Sequence, residues 1–165
     1  MNKQRFTSAE TSINKTKLPR IYRYDLPAGA VVVDYGCGRY VDHLQKEAAR
    51  RGYTWFGYDL FNRTEEENRA AVQIMKDAAA DYVICSNVLN VIDADAVIDG
   101  IIAEAVHAAR EAAIFTVYEG DGTGHGRQTG PDQYQRNEKR AAYVDRIKAL
   151  GYDCRRHGEY IIVTQ

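Results

Sequence analysis

Long apolar runs are missing. No stretch approaches the roughly 18 residues that a membrane-spanning helix needs, so a helical membrane protein is excluded. Cysteine is scarce: Cys37, Cys85 and Cys154 are odd in number and widely spaced. They form neither a disulfide framework nor a Cys-x-x-Cys metal knuckle. Cys37 and Cys85 have no histidine or second cysteine at ligand spacing, so no metal site is expected and both read as small buried apolar residues. The N-terminal stretch has no apolar core of a signal peptide, and a reducing cytoplasm is the expected compartment. Internal repeats and low-complexity segments are also lacking, and 165 residues fit one domain.

Charge is present in both signs but unevenly. The formal net charge is −1. Residues 1–27 carry six Lys/Arg (Lys3, Arg5, Lys15, Lys17, Arg20, Arg23) against Glu10 and Asp25, whereas residues 61–109 carry nine acidic residues against three basic ones. The expected organisation is a basic arm, 1–27, followed by one globular domain, 28–165. Such an arm either meets an anionic partner, nucleic acid included, or is a solvated tail.

The hydrophobic pattern gives the fold class. Ala30–Tyr35 is a short apolar run that reads as a strand buried on both faces. Val41–Arg51 has helical spacing and ends at Gly52, and Tyr53–Leu60 is strand-like. Glu65–Ala79 favours helix, with 71–75 as an alternative edge strand. Tyr82–Ser86 is a strand, and Asp95–Ala109 is a helix that Asp93 or Asp95 can cap. Ala112–Tyr118 is a strand and Arg136–Leu150 a helix. Tyr152–Arg156 and Tyr160–Thr164 form a hairpin around His157-Gly158. The sum is a doubly wound, mostly parallel α/β sheet ending in an antiparallel hairpin.

In such sheets ligands bind at the carboxyl ends of the strands. There the chain places Asp34-Tyr35-Gly36-Cys37-Gly38, then Asp59 about 20 residues on, where an acid can hold ribose hydroxyls, then Ser86-Asn87. A dinucleotide fingerprint needs a third glycine at position 41, which is Val41, so a nicotinamide or flavin site is disfavoured. Asp34 repels a pyrophosphate and suits a cationic amino acid moiety. Asp59 has a rival role as a local cap. Residues 119–137 form a long glycine-rich stretch after a central strand, read as a polar substrate lid or as a mobile loop. Glu119, Asp121 and His125 are its candidate bases. Most tyrosines are expected to pack, with Tyr22, Tyr24 and Tyr40 as candidates for stacking on a flat substrate.

Val32-Val33-Asp34-Tyr35-Gly36-Cys37-Gly38, Gly57-Tyr58-Asp59-Leu60 and Cys85 to Ile92 resemble the first, second and fourth motifs of class I S-adenosylmethionine-dependent methyltransferases. The run Val117 to Gly124 is similar to small methyltransferases of bacteria and phages, of the type associated with DNA phosphorothioation. The resemblance covers residues 28–165 and implies a Rossmann-like domain. It implies that Asp34, Gly36, Cys37 and Gly38 line the methionine part of S-adenosylmethionine, that Asp59 holds the ribose, that Leu60 lies against adenine, and that Ser86 or Asn87 meets the amino acid end. Tyr40 stands where the family often has a third glycine, and residues 71–75 stand where the family's third strand usually adds an adenine contact. The acceptor is a small molecule, a nucleotide or a nucleic acid, with Asn87, Glu119 and Asp121 as catalytic candidates. Asn87 is not followed by the Pro-Pro-aromatic of DNA amino-methylating enzymes, and Cys85 lacks the proline of cytosine C5 enzymes. A non-catalytic binding module is the alternative.

Overall fold

The computed structural model describes residues 15–164. Strands β1 (Val31–Tyr35), β2 (Thr54–Tyr58), β3 (Ala80–Ser86), β4 (Ala109–Thr116), β7 (Cys154–His157) and β8 (Tyr160–Thr164) form one sheet in the order β2-β1-β3-β4-β8-β7. The pairs β1–β2, β1–β3 and β3–β4 are parallel, and β8 runs antiparallel to both β4 and β7. This is a Rossmann-like mixed sheet of the expected class. The hairpin turn is Gly158-Glu159, one residue beyond its expected place.

Alternation along each strand divides the core in two. Val32 shares one face with Ile84, Ile114 and Ile162, covered by Leu44 of α1 (Asp42–Arg50) and by Ile21, Tyr22 and Leu26. Val33, Val83, Phe115 and Ile161 take the other face, against α2 (Glu65–Lys76), α3 (Asp95–Ala108) and α4 (Arg140–Ala149). Ile98, Ile102 and Ala105 of α3 recur at helical spacing and are fully buried. The last part of the basic segment, residues 20–26, thus belongs to the packed body, through a 3₁₀ turn at Arg20–Arg23. Lys3 and Arg5 lie outside the described residues.

Residues 71–75 are helical. A capping box starts α2: Thr64 accepts from the Glu67 amide, and the Glu67 carboxylate accepts from the Thr64 amide. The chain therefore passes from β2 through one helix to β3, and β2 is the sheet edge. Neither Asp93 nor Asp95 is the N-cap residue of α3; Ala94 holds that position, and Asp95 instead pairs with Arg136 and Arg146. Helix α4 starts four residues later than its periodicity suggests. Asn137 takes a left-handed φ of +59°, which ends any helix at that point. Arg136 turns inward to Ile92 O, Asp93 O, Asp95 and Glu138.

Residues 119–137 are not the open loop that their glycines suggest. Buried Asn137 donates to His125 O (2.8 Å), and its own carbonyl accepts from the Gly124 amide (2.8 Å). The second half is a two-stranded hairpin, β5 (Arg127–Gly130) and β6 (Gln133–Gln135).

Candidate functional site

The chain winds from β1 to β2 on one side, then returns past β1 to β3 on the other. That reversal opens a crevice at the strand ends, and a cavity of about 750 Å³ fills it. Gly36 begins the loop after β1 at φ +82°, and its amide donates to Tyr58 O (2.7 Å). A Cβ at Gly36 would lie 2.2 Å from Val88 Cγ2, so only glycine lets the loops after β1 and β3 come this close.

Asp34 is 3% exposed, lines the cavity and sits at the head of a hydrogen-bond chain. Tyr22 Oη donates to Asp34 Oδ2 (2.6 Å), and Trp55 Nε1 donates to Tyr22 Oη (2.8 Å). Burial pushes the Asp34 carboxyl up to about 7, against the pull of the Tyr22 hydroxyl and with help from the Asp59 charge. At neutral pH the group is poised between its two forms, so a nearby ligand charge decides which one prevails.

Asp59 is 8% exposed and joins three segments. Its Oδ2 accepts from the Gly38 amide (2.9 Å); its Oδ1 accepts from the Phe61 amide (3.0 Å), the Asn62 amide (2.9 Å) and Asn62 Nδ2 (3.0 Å). The local capping role and the cavity-lining role therefore coincide. The Asn68 side chain grips the Asp59 backbone from α2, donating to its carbonyl (2.9 Å) and accepting from its amide (3.0 Å). Oδ1 is crowded, while Oδ2 keeps acceptor capacity for a ligand hydroxyl.

The cavity brings together Asp34, Gly36, Cys37, Gly38, Asp59, Leu60, Ser86 and Asn87. Leu60 (67% exposed), Phe61 and Tyr118 are large apolar side chains left open to solvent at its edge. Asn87 has a left-handed φ of +55°, fixed by its amide donating to Thr116 O (2.8 Å). Ser86 Oγ accepts from Thr116 Oγ1 (3.0 Å). Burial raises the Cys37 and Cys85 thiols well above their usual range, so neither is a ready nucleophile. Among the described residues no group of three His, Cys, Asp or Glu side chains is placed to hold a metal ion.

Glu119 and Asp121 are not among the residues of this cavity. Glu119 Oε1 accepts from the Arg140 amide (2.7 Å), serving the first turn of α4. Asp121 accepts from the Thr123 amide and hydroxyl, and these bonds hold its carboxyl below the usual range. Asp121 lines a second cavity of about 410 Å³, which shares Val91, Tyr118 and Gln135 with the first. Of the candidate stacking tyrosines, Tyr22 is buried, Tyr24 packs edge-on to Tyr160 at 5.1 Å, and Tyr40 lines the main cavity.

Several site residues carry no signature in sequence. Buried Asn90 donates to Gln135 Oε1 (3.1 Å), and Gln135 Nε2 donates to Tyr118 O (3.0 Å), so the β5–β6 hairpin is tied to the cavity wall. His43, in the first turn of α1, lines the cavity, and both its ring nitrogens are buried without a hydrogen-bond partner. Only the capping run Thr64-Glu65-Glu66-Glu67, which sets the helix carrying Asn68, was available as a local signal.

No family model matches the chain, and no curated protein matches it. Solved structures do match in fold. The 1,6-didemethyltoxoflavin-N1-methyltransferase of Burkholderia thailandensis, solved with 1,6-didemethyltoxoflavin and S-adenosylhomocysteine, matches with a TM-score of 0.59 at 18% identity. The match covers 83% of this chain and 70% of that one. The phosphoethanolamine N-methyltransferase 2 of Haemonchus contortus matches with a TM-score of 0.56 at 17% identity in its complex with phosphomonomethylethanolamine and S-adenosylhomocysteine. This match covers 90% of this chain and 41% of that enzyme. The same enzyme with S-adenosyl-L-methionine matches with a TM-score of 0.54 at 18% identity. The chain is thus similar in structure to class I S-adenosylmethionine-dependent methyltransferases, and it spans less than half the length of the second enzyme.

Proposed function

We propose that this protein transfers a methyl group from S-adenosylmethionine to a polar acceptor. The observation that carries this reading is the pair of carboxylates, Asp34 and Asp59, at the ends of neighbouring parallel strands, flanking a loop whose Gly36 admits no side chain. The residues fit the cofactor. Asp34 suits its cationic end, the glycine loop its close approach, Asp59 Oδ2 its ribose, and Leu60 with Phe61 its base. The orphaned nitrogens of His43 suit its carboxylate. When bound, S-adenosylmethionine supplies an electrophilic methyl on a sulfonium.

The chain's own contribution is placement. Holding a nucleophile in line with that methyl removes much of the entropic barrier. Asn87, held by the hydrogen bond its backbone amide donates to Thr116 O, orients the acceptor through its side-chain amide. The second cavity admits the acceptor from the side of Tyr118 and Gln135. Asp121, with its lowered carboxyl, serves there as a fixed negative charge better than as a base. The acceptor is a small molecule, a nucleotide or a nucleic acid. Kinship with the phage and phosphorothioation-associated group rests on the Val117 to Gly124 run.

Calorimetry tests the reading. S-adenosylhomocysteine should bind and NAD should not; equal affinity for the two overturns it. Labelled methyl transfer to amines, nucleotides and nucleic acids should then find an acceptor. One observation favours a binding module instead: Asp34, Asp59 and Glu104, the acids of the main cavity, are all engaged by protein donors. Tight binding with no transfer to any acceptor class would select it.

A further inference from the structure

The second cavity holds one charge of each sign. Among the residues that line it, Asp121 is the one acid and Arg127 the one cation. Their bonding leaves both charges open. The Thr123 amide and hydroxyl both donate to Asp121 Oδ1, at 3.0 and 2.7 Å, and Oδ2 makes no hydrogen bond among the described residues. Those Thr123 bonds, and after them the Arg127 charge, hold the Asp121 carboxyl below its usual range. Yet Arg127 forms no salt bridge with Asp121, and its guanidinium has no hydrogen-bond partner among the described residues. Two unlike charges that line one space without closing on each other suit a ligand that carries both.

Both positions are set by the closed loop. Asn137 packs so tightly on Gly120 that a Cβ there would lie 1.9 Å from Asn137 Oδ1. Arg127 pairs across the hairpin with Gln135, which lines both cavities and is held by Asn90 and Tyr118. Cross-strand partners share a face, so Arg127 stands where the two cavities meet. The charge count also selects the anion. A phosphate ester brings close to two negative charges, and one guanidinium leaves the second uncompensated. A carboxylate brings one, and its two oxygens match the guanidinium fork.

We infer that the second cavity anchors the acceptor by an amino acid head, with the carboxylate on Arg127, the α-ammonium on Asp121 Oδ2 and the side arm directed past Tyr118 and Gln135 into the main cavity. This inference rests on the methyltransferase reading and names the acceptor class. The α-nitrogen, protonated at Asp121, has no lone pair to offer, so the methyl goes to an atom of the arm. That atom forms its bond to the methyl carbon as the carbon–sulfur bond breaks. The sulfur keeps the electron pair, and any proton on the attacking atom passes to water.

The test titrates the common protein amino acids, by calorimetry, into the full chain saturated with S-adenosylhomocysteine. It also follows labelled methyl transfer from S-adenosylmethionine to the same compounds. At least one should bind and accept the methyl on its side chain. Acetylating its α-amino group or amidating its carboxylate should weaken binding about tenfold or more, the scale of one charged hydrogen bond. Arg127→Gln and Asp121→Asn should each weaken it by a similar factor. Asparagine keeps the bonds from Thr123, and neither change should move the thermal midpoint or the affinity for S-adenosylhomocysteine. If no amino acid both binds and accepts, if the methyl appears on the α-nitrogen, or if the blocked compounds and both variants bind unchanged, the inference fails while the methyltransferase reading stands. If S-adenosylhomocysteine itself does not bind, both fail.

Discussion

Replacing Asp34 by asparagine separates charge from shape at the centre of the site. The amide oxygen still accepts from Tyr22, so the chain Trp55–Tyr22–residue 34 is kept. What disappears is a carboxylate that burial pushes up to about 7, from 3.8. A raised folded-state value means that the folded protein holds the proton more tightly than the unfolded chain does. The stability that goes with the protonated form is fully present below pH 4, is lost as pH rises to about 7, and changes no further above that. Three pKa units amount to about 4 kcal/mol. Asp34→Asn escapes that loss, so its advantage in stability should grow from pH 4 to pH 7 and then stay level. At about 2–4 °C per kcal/mol for a chain of this size, Tm at pH 8 should rise by roughly 5 °C or more. Binding should move the opposite way. A cationic ligand end favours ionised Asp34, so wild-type affinity for S-adenosylhomocysteine should improve as pH rises through 7, and the variant should bind weakly at every pH. Thermal melts in a pH series and calorimetry at pH 6 and pH 8 decide the matter. A variant less stable than wild type at pH 8, or one that binds as well, refutes the reasoning.

Three further outcomes follow from contacts elsewhere. Gly36→Ala should cost roughly 1–2 kcal/mol from its left-handed backbone plus the clash with Val88, and Val88→Ala should restore only the clash part; an unchanged Tm in Gly36→Ala contradicts this. Arg136→Met should lower the urea stability by roughly 2–3 kcal/mol, because Ile92 O and Asp93 O lose a charged donor; an unmoved midpoint shows the network to be idle. Asp59→Ala should weaken S-adenosylhomocysteine by roughly 1.5–3 kcal/mol in calorimetry, and unchanged binding removes Asp59 from the site.

The sheet was legible because its strands are short apolar runs between glycines and helices with apolar stripes. Val31–Tyr35 and Tyr160–Thr164 could be little else. The residues lining the cavity were legible for a related reason: Asp34 lies near the end of β1, Asp59 and Asn87 directly follow β2 and β3, and strand ends face one crevice. Long-range polar contacts were not legible. The glycines of 120–130 read as mobility because a single sequence does not show that Asn137 will be buried 12 residues beyond His125 and pull the loop closed. Arg136 extended the apparent period of α4, yet its guanidinium is consumed by carbonyls on the far side of α3's start. Glu119 reads as a candidate base because it follows a central strand; in the fold its carboxylate accepts from the Arg140 amide (2.7 Å) at the start of α4. A carboxylate in a strand-end loop has two uses, a substrate or a helix N-terminus, and only the tertiary arrangement chooses between them.

The basic segment illustrates the same dependence from the other direction. Composition divides the chain at residue 27, because Lys and Arg stop dominating there. Packing divides it earlier, since Ile21, Tyr22 and Leu26 complete the core on the α1 face. Tyr22 is the decisive residue: its ring fills that core while its hydroxyl reaches Asp34, so the segment both closes the fold and sets the proton of the cavity's central acid. Its position also brings charge to the mouth. Pro19 lines the cavity, and the Lys15 ammonium lies 5.3 Å from the centre of the Tyr40 ring. An anionic acceptor approaching this opening meets Lys15 first. Its affinity should therefore fall as salt rises, whereas S-adenosylhomocysteine, proposed to bind at the buried pair Asp34 and Asp59, should be much less sensitive to salt. Equal salt dependence for the two ligands would place the acceptor away from this end of the cavity.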